Sequence, residues 1–336
     1  MTRTTTDARR KVRALIGASA TALLVLAVAA APAAASPTVR AKVADGTLRI
    51  SGGPFADQIA LRLSALVRNQ LQVDIGNDGT ADETFDLNTF DAIDVQAGGG
   101  DDTVRIDDIN GAFTTTKPTR VDGGNGADTL IGGSGAETFV GGNGNDLVDG
   151  NGGNDTAFLG RGDDTFIWDP GDASDVVEGQ IGSDTLVFNG SGGNEIMAAT
   201  AVFGRVEFTR NLGTIVMDLG GIEAIDVRAL GGVDTVTVNN LSGTAVQRVD
   251  VDLAAAPGGS TGDGLADTVT VAGTKGDDSI AVDATGAAVE VSGLAALVRI
   301  THADPATDTL TIDPVTGVDN VVVDPAVNPL ILISVL

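Results

Sequence analysis

Residues 123–167 read GGNGADTLI GGSGAETFV GGNGNDLVD GNGGNDTAF LGRGDDTFI, which are five nine-residue units in tandem without a gap. Trp168 and Asp169 interrupt the period, and two more units follow, PGDASDVVE at 170–178 and GQIGSDTLV at 179–187. Every unit has an acidic residue at position six and an apolar residue at position eight. Because self-similarity at a short fixed period is typical of solenoids, residues 123–187 decide the fold.

These units resemble the calcium-binding nonapeptide G-G-x-G-x-D-x-U-x of RTX proteins, in which U is a large apolar residue. Glycines let the backbone turn through conformations with φ > 0, so that carbonyl oxygens can converge on one point. The acidic residue adds a charged oxygen. Calcium takes about six to eight oxygen ligands, which a glycine-rich turn ending in a carboxylate can supply. Positions seven to nine predict a short strand whose eighth side chain points inward.

The resemblance implies that two nonamers close one coil of a parallel β-roll, with each ion between turns that lie two units apart. A first edge of the roll then carries Asp128, Asp146, Asp164 and Asp184. A second edge carries Glu137, Asp155 and Asp175. The turn glycines included in the implied metal sites are Gly124, Gly126, Gly142, Gly144 and Gly162. We expect the first edge to bind calcium better, because Glu137 is one methylene longer than aspartate and Ala173 replaces the fourth glycine of its unit.

The composition favours a cation ligand. The chain has 336 residues, with 46 acidic against 20 basic residues, one histidine and no cysteine. A formal net charge of −26 argues against nucleic acid or an anionic membrane as a partner, and it favours cation binding or simple solubility. The carboxylates of the array are periodic, which favours cation binding. Since no disulfide can form, we expect metal ions to stabilise the fold in place of disulfide bonds.

Residues 1–35 have the layout of a cleavable secretory signal. Five basic residues between Arg3 and Arg13 precede an apolar run from Ala14 to Ala31, and small residues fit cleavage after Ala35. A retained membrane anchor is the alternative, although the strongly apolar part is short of the roughly 20 residues of a membrane span. We therefore expect a secreted or cell-surface protein with no membrane span in the mature chain.

Outside the array the sequence predicts short strands and degenerate copies of the nine-residue unit. Strands are expected at 47–51, 58–63 and 71–75. Residues 86–104 align without gaps with residues 218–236, with 12 of 19 positions identical. An aspartate two residues before an aliphatic recurs at Asp57, Asp267, Asp278, Asp308 and Asp319. The predicted organisation is a signal peptide at 1–35, a β-rich or degenerate solenoid region at 36–122, the calcium-binding array at 123–187 and a degenerate β-solenoid region at 188–336.

The sequence thus predicts an all-β fold, a right-handed parallel β-roll or β-helix solenoid that allows a small β-sandwich-like or hairpin-rich N-terminal part. Position seven is often threonine, and stacked coils would align these residues in an outward ladder: Thr103, Thr129, Thr138, Thr156, Thr165, Thr185, Thr235, Thr268 and Thr309. Threonine favours strands in any case. The ladder indicates either sheet stability or a face that binds an ordered surface such as ice or a glycan.

Catalytic motifs are scarce, because His302 is the only histidine and H-E-x-x-H is impossible. We predict no enzyme activity and a secreted protein in which several calcium ions fold and clamp the roll. Its role would be structural, at a surface, or toward an extracellular glycan or protein partner. The alternative is a β-helix carbohydrate-active enzyme, a polysaccharide lyase or hydrolase that uses paired carboxylates. Trp168 is the candidate stacking platform for a sugar, unless it packs against the interruption of the array.

Overall fold

The structure is a computed structural model that describes residues 39–336, and within that range strands dominate. The first fourteen strands are β1 (Arg40–Ala44), β2 (Thr47–Ser51), β3 (Gln58–Leu63), β4 (Gln70–Ile75), β5 (Glu83–Asp86), β6 (Ala92–Gly99), β7 (Thr103–Asp107), β8 (Thr119–Asn125), β9 (Thr129–Ile131), β10 (Glu137–Asn143), β11 (Leu147–Asp149), β12 (Thr156–Arg161), β13 (Thr165–Trp168) and β14 (Val176–Ile181).

The remaining strands are β15 (Thr185–Asn189), β16 (Ile196–Val202), β17 (Arg205–Arg210), β18 (Ile215–Gly220), β19 (Ala224–Arg228), β20 (Thr235–Val238), β21 (Arg248–Asp252), β22 (Thr268–Ala272), β23 (Ser279–Thr285), β24 (Ala288–Ser292), β25 (Leu297–Thr301), β26 (Thr309–Asp313), β27 (Asn320–Val323) and β28 (Leu332–Val335). Short 3-10 turns lie at Leu87–Thr89, Asp108–Asn110, Leu212–Thr214 and Pro325–Val327. Strands β2 and β3 have the predicted bounds, and β4 begins one residue earlier than predicted.

The strands form two 14-stranded sheets, and the chain passes back and forth between them. Sheet A has the order β1-β2-β6-β8-β10-β12-β14-β18-β17-β16-β20-β22-β26-β28. Sheet B has the order β27-β23-β24-β25-β21-β19-β15-β13-β11-β9-β7-β3-β4-β5. In the array, β8, β10, β12 and β14 pair in parallel in sheet A, and β9, β11, β13 and β15 do so in sheet B. The predicted parallel β-roll is confirmed.

Two nonamers make one coil, as expected. Asp128 and Asp146 are 18 residues apart and lie in consecutive coils, whereas Asp164 and Asp184 are 20 residues apart. The two additional residues of the longer coil are Trp168 and Asp169. The coil register also continues across the predicted domain borders, since β8 spans residues 122 and 123 and β15 spans residues 187 and 188.

The core between the two sheets is built from the apolar residues at position eight. Their side chains are fully buried because successive residues of a strand point to opposite faces, and position eight faces the other sheet. The seven of them are Leu130, Phe139, Val148, Ala157, Phe166, Val177 and Leu186. Stacking of these side chains from coil to coil forms one continuous apolar column along the array.

Trp168 belongs to this core. Its ring stacks on Phe188, with ring centroids 4.1 Å apart and an interplanar angle of 2°. The indole N–H donates to the carbonyl oxygen of Ala173 at 2.8 Å. Trp168 and Phe188 are register partners in β13 and β15, and each directly follows the last residue of a nine-residue unit. Because Trp168 is fully buried, it is not a platform on which a sugar could stack.

Antiparallel hairpins interrupt the roll, and the sequence pattern located only the N-terminal ones. Strands β1 and β2 and strands β3, β4 and β5 form the hairpin-rich N-terminal part. In sheet A, β17 and β18 are inserted between β14 and β16. In sheet B, β23, β24 and β25 pair antiparallel. These insertions lengthen the chain between consecutive turns to about 40 residues, for example 39 between Glu195 and Asp234.

The internal repeat has the same local structure in both copies but opposite placement. Residues 92–95 of the first copy lie in sheet A, and residues 224–227 of the second copy lie in sheet B. Each copy is a strand, a glycine turn and a second strand. One nonamer is half a coil, so a copy can begin on either sheet.

The threonines at position seven also divide between the sheets. Thr103, Thr129, Thr165 and Thr185 lie on sheet B, whereas Thr138, Thr156, Thr235, Thr268 and Thr309 lie on sheet A. The single ladder expected from the sequence is therefore wrong, and two ladders on opposite sheets take its place.

Within residues 39–336, no helix has the length and apolar character needed to cross a membrane. The predicted signal peptide, residues 1–35, lies outside the described residues.

Candidate metal centre

The first-edge aspartates lie one above another in the turns that lead from sheet A to sheet B. The backbone N–H of Asp128 donates to Asp146 Oδ1 at 2.8 Å, and that of Asp146 donates to Asp164 Oδ1 at 2.7 Å. The N–H of Asp164 donates to Asp184 Oδ1 at 3.0 Å. All four side chains are buried. Each carboxylate therefore holds the preceding coil through one oxygen.

This column extends beyond the array at both ends. The N–H of Asp57 donates to Asp102 Oδ1, and the N–H of Asp102 donates to Asp128 Oδ1, both at 2.7 Å. At the other end, the N–H of Asp184 donates to Glu223 Oε2 at 2.8 Å. The degenerate unit of Asp102 thus continues the first edge. Glu223 also belongs to this column of acidic residues, although the sequence pattern did not indicate it.

The second oxygen of these carboxylates is buried without a hydrogen-bond partner. On the first edge this holds for Oδ2 of Asp102, Asp128, Asp146, Asp164 and Asp184. A buried carboxylate oxygen without a partner costs about 1–3 kcal/mol or more, because it has lost its water. Native structures rarely tolerate such atoms, and a repeated set of them indicates a missing ligand.

Glycine at position one lets a carboxylate oxygen and a carbonyl oxygen of the neighbouring coil lie close together in three of these turns, at Gly123, Gly141 and Gly179. A Cβ atom on Gly141 would lie 2.5 Å from Asp146 Oδ2 and would also collide with the carbonyl oxygen of Leu159 in the next coil. At Gly123, a Cβ atom would collide with Asp128 Oδ2 and lie 2.8 Å from the carbonyl oxygen of Gly141. A carboxylate oxygen and a carbonyl oxygen thus lie close together, and a hard cation binds such oxygen ligands.

The glycines at positions two and four allow the turns to stack. Their φ angles are 105° at Gly124, 127° at Gly126, 118° at Gly142, 127° at Gly144 and 138° at Gly162. A Cβ atom on Gly142 would collide with the carbonyl oxygen of Gly124, and one on Gly144 with that of Gly126. Only glycine combines this backbone conformation with so close an approach. The turns therefore present layers of carbonyl oxygens between successive coils.

The second edge brings its acidic residues together as well, but with fewer free oxygens. The N–H of Glu137 donates to Asp155 Oδ1 at 2.7 Å, and that of Asp155 donates to Asp175 Oδ1 at 2.8 Å. Glu137 Oε1 and Asp155 Oδ2 are buried without a partner. In the turn where alanine replaces the fourth glycine, the Ala173 carbonyl oxygen already accepts from Trp168. That oxygen is therefore less available to an ion.

Burial changes the acidity of both columns. Desolvation raises the pKa of Asp102, Asp146 and Asp184 to about 7, although a backbone N–H bond to each of them acts in the opposite direction. The pKa of Asp155 is raised to about 9, by burial and by the charges of Glu137 and Asp175. Since calcium binds the ionised carboxylate, an ion must displace protons from these groups near neutral pH.

The donor set fits calcium. Within residues 39–336, no three Asp, Glu, His or Cys side chains come together as a metal-binding group. The oxygens that lie together in these turns are carboxylate oxygens and backbone carbonyl oxygens, as at Gly123 and Gly141. Zinc and copper favour nitrogen and sulfur ligands, whereas calcium accepts six to eight oxygens in flexible geometry.

Sequence reasoning missed Glu195, which lies in a turn leading from sheet B to sheet A and donates its N–H to Asp234 Oδ1 at 2.8 Å. Asp234 in turn donates to Asp267, and Asp267 to Asp308. A signal for Glu195 was present, because GSGGNEIMA at 190–198 matches the pattern of GNGGNDTAF at 150–158. Phe188 and Asn189 precede it as Trp168 and Asp169 precede the unit at 170–178.

One comparison with known proteins, the match to a family model, agrees with this geometry. The family model of the RTX calcium-binding nonapeptide repeat matches residues 120–136 and 131–166, with four copies. A comparison with curated proteins finds no match. Among solved structures, the extracellular lipase LipA from Serratia marcescens matches at 11% identity, over 63% of this chain and 43% of that chain, with a TM-score of 0.18. The match spans less than half of the lipase and supports no inference about activity. Residues 120–166 of this chain therefore carry RTX calcium-binding nonapeptide repeats.

Proposed function

We propose that the protein is a secreted calcium-binding protein in which several calcium ions fold and clamp the β-roll. The observation that carries this proposal is the pair of oxygens beside Gly141. There, Asp146 Oδ2, buried without a partner, and the Leu159 carbonyl oxygen of the next coil lie close to the same point. An ion bound by both oxygens would connect two consecutive coils.

The first edge supplies the strongest sites in this proposal. Asp128, Asp146, Asp164 and Asp184 provide the carboxylates, and the turns that contain Gly124, Gly126, Gly142, Gly144 and Gly162 provide carbonyl oxygens. Glu137, Asp155 and Asp175 provide weaker sites on the second edge. Without calcium, each column holds several buried carboxylates at close range. Binding of the ions removes this repulsion, so their binding free energy becomes folding free energy.

A calcium titration of the purified, EGTA-treated protein tests the proposal. We expect calcium to bind with a stoichiometry of several ions, as measured by isothermal titration calorimetry. Magnesium at the same concentration should bind far more weakly, because it requires near-octahedral geometry and gives up its water reluctantly. Absence of calcium binding, or equal binding of both ions, would refute the proposal.

Export is part of the proposal, and the charge pattern of residues 1–35 supports it. The array also suits a compartment with abundant calcium, where sites that bind at about 10⁻⁴ to 10⁻³ M are filled. Mass spectrometry of the protein recovered from the culture medium should find Ser36 as the first residue. Retention of the intact protein in the cytosol would contradict export.

We also propose that the outer face of sheet A contacts an extracellular partner. Two rows of threonines run across β20, β22 and β26 in exact register, Thr235, Thr268 and Thr309 in one row and Thr237, Thr270 and Thr311 in the other. The facing part of sheet B carries charged residues instead, among them Asp226, Arg248, Asp250 and Arg299. A regular array of hydroxyl groups suits a glycan or a protein with a repetitive polar surface. Glycan-array binding that Thr268→Tyr abolishes and Thr165→Tyr leaves intact would support this role.

A second candidate function is a carbohydrate-active enzyme, and one carboxylate pair on sheet B favours it. Asp226 and Asp250 are neighbours in β19 and β21, and burial together with the charge of Asp250 raises the pKa of Asp226. Acid–base hydrolysis of a glycosidic bond uses a pair of carboxyl groups, one of which has a raised pKa. New reducing or unsaturated ends in a polysaccharide screen, lost in Asp226→Asn, would establish this activity.

A serine hydrolase is less well supported. His302 Nδ1 lies 2.7 Å from Asp252 Oδ1, and Ser260 stands in a G-x-S-x-G stretch at 258–262. That stretch lies in an irregular loop, in which the Ala255 N–H donates to the Thr261 carbonyl oxygen. The nucleophile elbow of serine hydrolases is a turn from a strand into a helix, and this loop has no such context. We therefore propose a role without catalysis.

A further inference from the structure

Two glutamates occupy equivalent positions in turns that lead from sheet B to sheet A. Glu137 Oε2 accepts from the Gly133 N–H at 2.8 Å, and Glu195 Oε2 accepts from the Ser191 N–H at 2.9 Å, each four residues earlier in the chain. Both glutamates donate their own N–H to the aspartate of the next turn, Asp155 or Asp234. The two carboxylates are thus held in the same way.

The two glutamates differ at the other oxygen. Glu137 Oε1 is buried without a hydrogen-bond partner. Glu195 Oε1 accepts from Arg210 Nε at 2.5 Å and from Ser191 Oγ at 3.0 Å. The oxygen that has no partner at Glu137 therefore has a counterpart at Glu195 that is paired with a cation. This cation is the guanidinium of Arg210.

The guanidinium of Arg210 is held on several sides. Its Nη1 donates to the Leu212 carbonyl oxygen at 3.0 Å, and its Nη2 donates to Ser191 Oγ at 3.2 Å. Its central carbon lies 5.2 Å from the centre of the Trp168 ring. The arginine is only 7% exposed, and the side chain of Glu195 is fully buried. A buried ion pair with this many hydrogen bonds is fixed in one position.

The turn at Glu195 also has a glycine at position one, as the turns of Asp128, Asp146 and Asp184 do. A Cβ atom on Gly190 would lie 2.5 Å from Glu195 Oε2, 2.6 Å from the Ala229 carbonyl oxygen and 2.8 Å from that of Arg228. These carbonyl oxygens belong to the next coil, as the Leu159 carbonyl oxygen does at Gly141. Oxygen donors for a metal ion are therefore present on both sides of the glutamate.

The inserted hairpin explains why an arginine is found here. Strands β17 and β18 lie between β14 and β16 in sheet A, so the turn of Asp175 does not stack directly on the turn of Glu195. Arg210 is the last residue of β17, where it pairs with Met197 of β16 and Ile215 of β18. The hairpin thus interrupts the column of turns, and it places the guanidinium of Arg210 at the interruption.

We propose that the guanidinium of Arg210 replaces a calcium ion at Glu195, and that its removal opens a calcium site formed by Glu195, Ser191 and the neighbouring carbonyl oxygens. This inference rests on the proposed calcium-clamp function. In the native protein, Arg210 makes this turn independent of calcium. The calcium-dependent part of the second edge then ends at Asp175.

The test compares Arg210→Met with the wild-type protein by thermal melts in EGTA and in millimolar calcium, and by calcium stoichiometry. In EGTA we expect the melting temperature to fall by on the order of 5–10 °C, because a buried carboxylate loses its counter-ion. Calcium should raise the melting temperature of the variant more than that of the wild type, and the stoichiometry should increase by one ion. An equal loss with and without calcium, at unchanged stoichiometry, would overturn the proposal.

Two further variants serve as controls. Arg205→Met removes another arginine of β17, which pairs with Glu178 at 2.7 Å on the surface, and it should lower both melting temperatures slightly and equally. The double variant Glu195→Gln with Arg210→Met has no charged side chain at these two positions and should bind no additional ion. If Arg210→Met fails to fold in either condition while the double variant folds, calcium cannot replace the arginine and the proposal is wrong.

The calcium response of the wild-type protein separates the clamp function from the role of Arg210. A wild-type protein that does not respond to calcium would refute the clamp function itself. A wild-type protein that responds, beside an Arg210→Met variant without an additional calcium effect, would refute only the role assigned to Arg210.

Discussion

The backbone N–H of Asp146 donates to Oδ1 of Asp164, in the next coil of the roll, at 2.7 Å. The same bond recurs along both edges. On the first edge of the array, one oxygen of each aspartate connects two coils and the other is buried without a hydrogen-bond partner. These two roles can be separated experimentally. Asparagine keeps an acceptor at Oδ1 and removes the charge, whereas alanine removes both.

We expect Asp146→Asn to lower calcium affinity by roughly tenfold or more, because calcium sites depend on the number of charged ligands. Melting of the variant in EGTA should be unchanged or higher than that of the wild type, since a buried charge is removed while the bond to the Asp128 N–H is kept. Glu137→Gln, the matched change on the second edge, should reduce affinity less. Calorimetric titrations measure the difference, and equal effects would show that the ranking of the two edges is wrong.

The calcium-free protein should lose stability as the pH rises. Burial raises the pKa of Asp146 and Asp184 to about 7 and that of Asp155 to about 9. Each group then binds more protons folded than unfolded, so it stabilises the fold below its unfolded pKa of about 3.9 and loses this effect as the pH passes the folded pKa. We expect melting temperatures in EGTA to fall between about pH 4 and pH 8.

Saturating calcium should reverse that trend, because the ion binds only after the carboxyl protons have left. The measurement is a series of thermal melts across the same pH range, with EGTA and with calcium. A melting temperature in EGTA that rises steadily with pH would contradict the raised pKa values.

Gly142→Ala should destabilise the calcium-bound roll by on the order of 2 kcal/mol or more. The φ angle of Gly142 is 118°, and an added Cβ would collide with the Gly124 carbonyl oxygen. Gly152→Ala is the matched control in the same array, because the nearest atom to its added Cβ would be Ser134 Cα at 3.6 Å. Chemical denaturation in calcium should show the control to be neutral or slightly stabilised. A neutral Gly142→Ala would contradict the stacked-turn geometry.

Trp168→Ala should cost about 3–5 kcal/mol of unfolding free energy in calcium, since it removes a large, fully buried ring. The stack on Phe188 and the hydrogen bond to Ala173 are lost with it. Phe203→Ala is the control, because Phe203 is 102% exposed, and its removal should change stability by less than about 0.5 kcal/mol. Similar losses for the two variants would place Trp168 outside the core.

The sequence specified most of the array because its period is local. An acidic residue at position six and an apolar residue at position eight indicate the turns, the strands and the two edges, and Asp128 and Asp146 lie as their spacing predicts. Asp102 fits the same rule, although alanine replaces the glycine at position one of its unit. These features depend only on neighbours within one nonamer, so no long-range information is needed to find them.

The hairpins and the Arg210 contact depend on pairing between distant residues. Arg210 and Glu195 are 15 residues apart, and no periodic pattern connects them. The sequence pattern did not predict the unit of Glu195, because this unit has glutamate at position six and begins after two inserted residues, Phe188 and Asn189. The unit at 170–178 follows the same kind of insertion. Allowing two inserted residues between units would therefore predict the unit at 190–198 as well.

The most direct test of the calcium clamp is circular dichroism of the purified protein in EGTA and then in millimolar calcium, with the fluorescence of its single tryptophan recorded in parallel. We predict that calcium increases the β-sheet signal, raises the melting temperature and shifts the Trp168 emission to shorter wavelength as the ring enters the core. An identical spectrum, melting temperature and emission in EGTA and in calcium would contradict the account.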